Sequence, residues 1–333
     1  MESVEGLQGR STARAEPAIE WEETHCLLCG SCEWSTLLEL PLFNPAFQGL
    51  SCTVVRCSEC GLCFTNPRPS TNTIGQFYEV YAPHERCGLT RCQKQRLMRR
   101  SPRLKFWRRR HPQQHGLPRH GRGRLLDFGC GGGAFLELMH LQGWHVLGLD
   151  ACAAVVDQIV AELGLSALAG TLPHAELEPE SFDVVTMWHA LEHVHRPMEV
   201  LRHARQVLVP GGRLVVSVPN IESALCRWCG SAWLGWDVPR HLTHFSPTTL
   251  KQMVEQAGFQ IESVRLFSHA LWLRESAELA RRQGGHPRCL QWLSNRFLSR
   301  RVASYLSWTG QAGDLVLTAT RPLAHKQTIL AEQ

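Results

Sequence analysis

No run of 18 apolar residues occurs anywhere in this 333-residue chain, so a membrane-spanning helix is not expected. The opening residues, MESVEGLQGR, carry two glutamates and no apolar core, which is not the build of a secretory signal. Without export, the 14 cysteines are expected in the reducing cytoplasm, where metal binding or burial outweighs a disulfide framework. Acidic residues are missing altogether between Arg91 and Arg124, a segment with 13 Lys and Arg, while the remainder holds 22 bases and 30 acids. The net charge of +5 therefore comes from one basic block. Such a block can meet nucleic acid, an anionic membrane face or a phosphorylated partner. It lacks the aromatic and glycine pattern of an RNA-binding module, so a solvated arginine-rich helix and linker is the plainer reading. What is present is ordinary globular material: 44% hydrophobic and 20% charged residues exclude wholesale disorder.

The organisation is legible in segments. Residues 1–20 and 323–333 read as tails. Residues 21–70 are cysteine-dense. Residues 71–123 read as a helical, basic connector, with Ile74, Phe77, Tyr78 and Tyr81 on one helical stripe. It closes on HPQQHGLPRHGRGR, whose two prolines and three glycines mark an exposed connection. From residue 124 to 322 strands and helices alternate. Leu125–Phe128, Val146–Leu149, Ser166–Ala169, Phe182–Trp188 and Arg213–Val218 read as strands, with Phe259–Phe267 and Leu315–Thr320 as two more. Helices are expected from Ala134, over Ala153–Leu163, Pro197–Leu208 and Thr248–Ala257, and within an insertion at 269–311. This rhythm predicts an α/β fold, a Rossmann-like seven-stranded sheet with helices on both faces, preceded by a small N-terminal unit.

Cys26-Leu-Leu-Cys29-Gly and Cys57-Ser-Glu-Cys60-Gly are two CxxC knuckles with 27 residues between them. Two thiolates on a tight turn bite a tetrahedral Zn²⁺, and two such turns complete a closed, structural Cys₄ site. Cys32, Cys52 and Cys63 are nearby alternatives. Cys226-Arg-Trp-Cys229 is a third CxxC without a partner pair and reads as packing.

Leu125-Leu-Asp127-Phe-Gly129-Cys-Gly131-Gly132-Gly133 is a glycine loop after a strand, where backbone can pass close to a ligand. Asp150 ends the next strand, 21 residues after Gly129, where an acid can take ribose hydroxyls. Gly129-x-Gly131-x-x-Ala134 also satisfies a dinucleotide fingerprint. Asp127 disfavours that reading, because a carboxylate there repels a pyrophosphate but suits a ligand carrying an ammonium and a sulfonium.

Together with SFDVVTMWHALEHVHRP and VLVPGGRLVVSVPN, these motifs resemble the class I S-adenosylmethionine-dependent methyltransferases over roughly Arg124 to Arg321. The knuckles, GLCFTNPRP and WLGWDVPRHLTHFSPTTLKQMVEQAGF resemble one bacterial branch that carries an N-terminal zinc ribbon, related to ubiquinone-pathway O-methyltransferases. The resemblance implies that Asp127, Gly129, Gly131 and Gly133 hold the methionine part of S-adenosylmethionine, and Asp150 the ribose. It places the adenine near Gly170, Thr171 and Leu172, where an acid found in many relatives is absent.

His189 follows the fourth strand at the carboxyl edge, where an imidazole can accept a hydroxyl proton or wall the cofactor pocket. His241 and His244 are second candidates for a base. His189-Ala-Leu-Glu192-His193 resembles the ExxEH cluster linked to a divalent cation in the ubiquinone-pathway enzymes. Here His replaces the first acid, which suits hard Mg²⁺ poorly. Trp233, Trp236 and Phe245, with these histidines, can wall an acceptor pocket or form a hydrophobic cap.

The expectation is O-methylation of a small sugar-like or quinone-like acceptor. The second reading is an RNA methyltransferase clamped by the ribbon and basic connector. It is weakened by Trp188-His189-Ala190 standing where a base-amine motif would be. A nicotinamide oxidoreductase and a non-catalytic zinc-binding adaptor are weaker still.

Overall fold

The computed structural model describes residues 19–42, 45–47, 49–79, 117, 123–284 and 288–323. Both tails beyond these limits, and nearly all of the basic block, lie outside the described residues, as does Tyr81 of the expected helical stripe.

In the N-terminal unit, β1 (Trp21–Glu22) is followed by β2 (Trp34–Pro41), β3 (Ser51–Cys57), β4 (Cys63–Thr65) and β5 (Arg68–Pro69). β2, β3 and β4 pair antiparallel in sequence order, and β1 pairs with β5. Of the helical connector expected from residue 71, only the start is described: α1 spans Gln76–Glu79, and residues 80–116 lie outside the described residues. Turns at residues 71–75 precede α1. The Thr73 hydroxyl donates to the Glu20 carbonyl (3.0 Å) and the Ser70 hydroxyl to the Glu20 carboxylate (2.7 Å), tying this stretch into turns. Phe77 of the stripe is buried against Trp21 and Phe47.

β6 (Arg124–Phe128), α2 (Ala134–His140), β7 (His145–Asp150), α3 (Ala153–Gln158), β8 (Ala167–Ala169), β9 (Phe182–Trp188), α4 (Pro197–Val207) and β10 (Leu208–Pro219) follow as alternating units. α3 continues as a π-helical turn, Ile159–Leu163, stopped by Gly164 at φ 64°. β10 begins earlier than the sequence suggests. The Pro-Gly-Gly stretch lies within it as an irregularity, with the register against β9 shifting between Leu208 and Arg213.

Next come α5 (Ala224–Cys229), β11 (Thr243–His244), α6 (Pro247–Gln256), β12 (Gln260–Phe267), α7 (Ala270–Gln283), α8 (Arg296–Trp308) and β13 (Asp314–Thr320). The large sheet has seven strands in the order β12-β13-β10-β9-β6-β7-β8. β6 to β10 are parallel, and β13 runs antiparallel between β10 and β12. β6, β9 and β10 lie inside the sheet, and their near-continuous apolar runs (LLDF, FDVVTMW, LVVSV) are what burial on both faces requires.

The N-terminal unit does not stand apart. β11 pairs antiparallel with β4, Thr243 opposite Phe64 and His244 opposite Cys63, giving a four-stranded sheet β11-β4-β3-β2. Leu62 and Phe64 belong to the same buried cluster as Leu126, Val216 and Phe245. Fully burying a phenylalanine contributes about 1.5–3 kcal/mol, so Phe64 and Phe245 bind the two sheets with appreciable force. Cys226 and Cys229 pack in a second cluster with Trp233, Ala277 and Leu306, which agrees with the packing role expected of the third CxxC.

Candidate active site

The glycine loop leaves β6 at Phe128. Gly129, Gly131 and Gly133 have φ of 70°, 48° and 70°, a region that side-chain-bearing residues rarely adopt. A Cβ on Gly129 would meet the Ala190 Cβ at 2.5 Å, and one on Gly133 would meet Leu163 Cδ1 at 2.8 Å. A Cβ on Gly131 would meet nothing within 4 Å, so open space lies over the loop there.

Asp150, at the end of β7, holds this loop. Its Oδ2 accepts from the Gly131 N–H and its Oδ1 from the Cys152 N–H, both at 2.9 Å. Each oxygen keeps a second lone pair for a ligand hydroxyl. Asp127 is 2% exposed and accepts from the Thr186 hydroxyl at 2.6 Å. Burial, reinforced by the charge of Asp150 and opposed by the Thr186 hydrogen bond, pushes its carboxyl up to about 7. Beyond β8, Gly170 has φ 150°, Thr171 is exposed and Leu172 is buried.

His189 follows β9 with φ 53°, a strained backbone for a non-glycine residue, and its N–H donates to the Ser217 carbonyl of β10 (2.9 Å). Its Nδ1 lies 3.2 Å from Glu192 Oε1 and its Nε2 lies 3.7 Å from Asp314 Oδ1. Trp272 of α7 packs against the imidazole with ring centroids 5.2 Å apart. Burial pulls the His189 pKa down, but Glu192 and Asp314 outweigh it and the net shift is upward. Asp314 is fully buried, and burial, opposed by His189 and by the His269 backbone N–H, pushes its carboxyl up to about 7.

Glu192 is the hub of the histidines. It is fully buried, and although burial favours its neutral form, His189, His193 and His241 hold its pKa below the usual value. Glu192, His193 and His241 bring one donor atom each within 4.8 Å of one another. One oxygen and two nitrogens are not the all-oxygen set that Mg²⁺ favours.

His241 donates from Nδ1 to the Gly235 carbonyl (2.9 Å), and His244 sits in β11 with Nε2 3.1 Å from the Thr65 hydroxyl. Burial lowers His241 to about 4 and His244 to about 3. Nitrogens that hold a proton so weakly make poor bases, which favours His189 among the three histidines named from the sequence.

A family model described as a methyltransferase domain matches residues 95–264, just over half of the chain. The chain belongs to this family. The chain is 35% identical over 149 residues to a ubiquinone biosynthesis O-methyltransferase of Aliivibrio fischeri, covering 41% of this chain and 64% of that protein. It is 34% identical over 155 residues to the protein of the same name from Aeromonas salmonicida, covering 42% and 64%. The chain thus spans less than two thirds of the length of these curated relatives. The solved structure of the [4+2]-cyclase SpnF is 21% identical, with a TM-score of 0.50 over 77% of this chain and 97% of that one. At that identity the likeness concerns the fold.

Three residues around the methyltransferase site were not read from the sequence as part of it: Asp314, Trp272 and Tyr78. The Tyr78 hydroxyl lies 2.9 Å from His193 Nδ1, and the Arg240 guanidinium lies over the Tyr78 ring at 5.8 Å. Trp236, Val238 and Arg240 line a cavity of about 190 Å³ together with Leu42, Phe47 and Phe77. Trp233 also lines this cavity, while Phe245 is buried in the core.

The two knuckles converge. Cys26 and Cys60 Sγ lie 3.4 Å apart, Cys29 and Cys57 Sγ 3.5 Å, and all four are within 4.8 Å of one another. Each turn is closed by a glycine, the Gly30 N–H donating to Cys26 O and the Gly61 N–H to Cys57 O, both glycines at positive φ. A tetrahedron with metal–sulfur bonds of about 2.3 Å has sulfurs about 3.8 Å apart, so the donor set fits such a metal. Cys52 and Cys63 lie in other packing clusters, and Cys32 pairs with His25 (3.1 Å).

Proposed function

We propose that the chain transfers a methyl group from S-adenosylmethionine to a hydroxyl oxygen of a small, planar, quinone-like acceptor, with His189 as the base. The observation that carries this reading is the placement of His189 at the exit of β9, between the carboxylates of Glu192 and Asp314 and beneath Trp272. The curated relatives are named for O-methylation in ubiquinone biosynthesis, which agrees with an aromatic hydroxyl as acceptor.

The cradle suits the cofactor. The bare backbone at Gly131 leaves room, Asp150 offers lone pairs to ribose hydroxyls, and Asp127 offers a buried carboxylate to an ammonium. Thr171 and Leu172 would border the adenine. When bound, the cofactor supplies a methyl on a sulfonium, a good leaving group, so the protein's task is mainly positioning and water exclusion.

Glu192 accepts from His189 Nδ1, which fixes the tautomer and leaves Nε2 for the acceptor's proton. As the oxygen–methyl bond forms, Nε2 takes that proton, and the resulting imidazolium lies between two carboxylates that stabilise it. Trp272 offers a flat face for a ring-shaped acceptor. The four-cysteine site would hold a structural Zn²⁺ away from the chemistry.

The reading is tested by calorimetric titration with S-adenosylhomocysteine and with NAD. Binding of the former in the micromolar range is expected, and preference for NAD would overturn the assignment.

A further inference from the structure

The outer face of α8 has an unusual composition. Phe297, Arg301, Tyr305 and Trp308 recur at i, i+4, i+8 and i+11, while Ser299, Ala303 and Leu306 on the opposite face are buried. Phe297 is 68% exposed, Tyr305 59% and Trp308 83%. Trp292, in the turn before α8, is 71% exposed and lines a shallow depression with Phe297, Leu298 and Arg301. α8 carries three arginines and no acidic residue. Large aromatics exposed together on one surface mark an interaction site, whereas apolar residues scattered singly do not.

We propose that this face docks the protein on an anionic lipid bilayer, α8 lying in the plane of the interface. The charge is complementary, because arginines without acids face phosphate-bearing headgroups. The side chains fit the depth: tryptophan and tyrosine settle at the headgroup level, Phe297 and Leu298 reach the acyl boundary, and arginine keeps its guanidinium at the surface. A nucleic acid would use the aromatics and arginines but gives Leu298 nothing to pack on. A protein partner favours aromatic anchors seated in well-packed pockets with a polar rim, whereas this is the open side of a helix. The proposal does not depend on the methyl-transfer reading.

The experiment is co-sedimentation of the full chain with vesicles of phosphatidylglycerol and phosphatidylcholine, and with phosphatidylcholine vesicles alone. The native protein should bind the anionic vesicles at least tenfold better than the neutral ones. The variant Trp292→Ser, Phe297→Ser and Trp308→Ser should lose at least tenfold of that binding while keeping its circular dichroism and melting temperature. Because its arginines and the basic 91–124 block remain, equal binding by this variant would overturn the proposal. So would failure of the native protein to bind anionic vesicles. A native dimer that the variant converts to monomer in analytical ultracentrifugation, without lipid binding, would assign the face to a second copy of the chain and overturn it as well.

Discussion

Asp314 Oδ1 lies 3.7 Å from Nε2 of His189, and that carboxylate is fully buried. β13 runs antiparallel beside β10 and sets Asp314 opposite Pro219, at the same edge of the sheet from which His189 leaves β9. A carboxylate so deeply buried is costly unless an imidazolium or a shared proton faces it.

If His189 is the base, His189→Ala should lower turnover about 10²–10⁴-fold with little change in cofactor affinity. Asp314→Asn should cost less but should move the pH profile. The neutral imidazole is the active form, and a facing anion raises its pKa. Removing that anion should therefore shift the rising limb of kcat to lower pH. Steady-state kinetics with an identified acceptor checks both, and an unmoved limb would separate Asp314 from the reaction.

Asp127 should make cofactor-product affinity depend on pH. Burial holds its carboxyl at about 7, against 3.8 for the free group. An ammonium is attracted only by the ionised form, so S-adenosylhomocysteine should bind more weakly as pH falls below about 7. Asp127→Asn should flatten that dependence in calorimetry. For the protein without ligand the sign is opposite. A raised carboxyl pKa means that the folded state binds the proton more tightly, so this group's contribution to stability declines as pH rises from about 4 to 7.

Elemental analysis should find one zinc per chain. Cys26→Ser combined with Cys57→Ser should remove it, and Cys226→Ser should not. Because Cys26, Cys57 and Phe64 share a buried cluster with the large sheet, metal removal should also lower the melting temperature of the whole chain.

Gly129→Ala should cost about 1–2 kcal/mol from the left-handed backbone alone, before the contact with Ala190 is counted. Asp150→Ala should weaken S-adenosylhomocysteine binding by about 1–3 kcal/mol. It also deprives the Gly131 and Cys152 N–H groups of their acceptor, so Asp150→Asn should recover part of the loss. Thermal melts and calorimetry on the three variants separate loop strain from lost ligand contacts.

The sequence by itself determined the alternating α/β order, the glycine loop, Asp150 at a strand end, and both cysteine knuckles. These are local patterns: apolar runs set strands, glycine sets positive φ, and the CxxC spacing sets a turn that presents two thiols. Turns at residues 71–75 precede the helix at Gln76–Glu79, because side-chain bonds from Ser70 and Thr73 reach Glu20, distant in the chain. Only the tertiary structure decided the rest. Asp314 and Trp272 reach His189 through strand pairing and an inserted helix, over separations that no spacing rule spans. On the sequence His241 and His244 stood behind His189 as second candidates for the base. Burial against the N-terminal sheet, completed by β11 pairing with β4, lowers their pKa values, while two carboxylates raise that of His189. Proton affinity depends on what surrounds a side chain in space, and that is set by packing between distant segments.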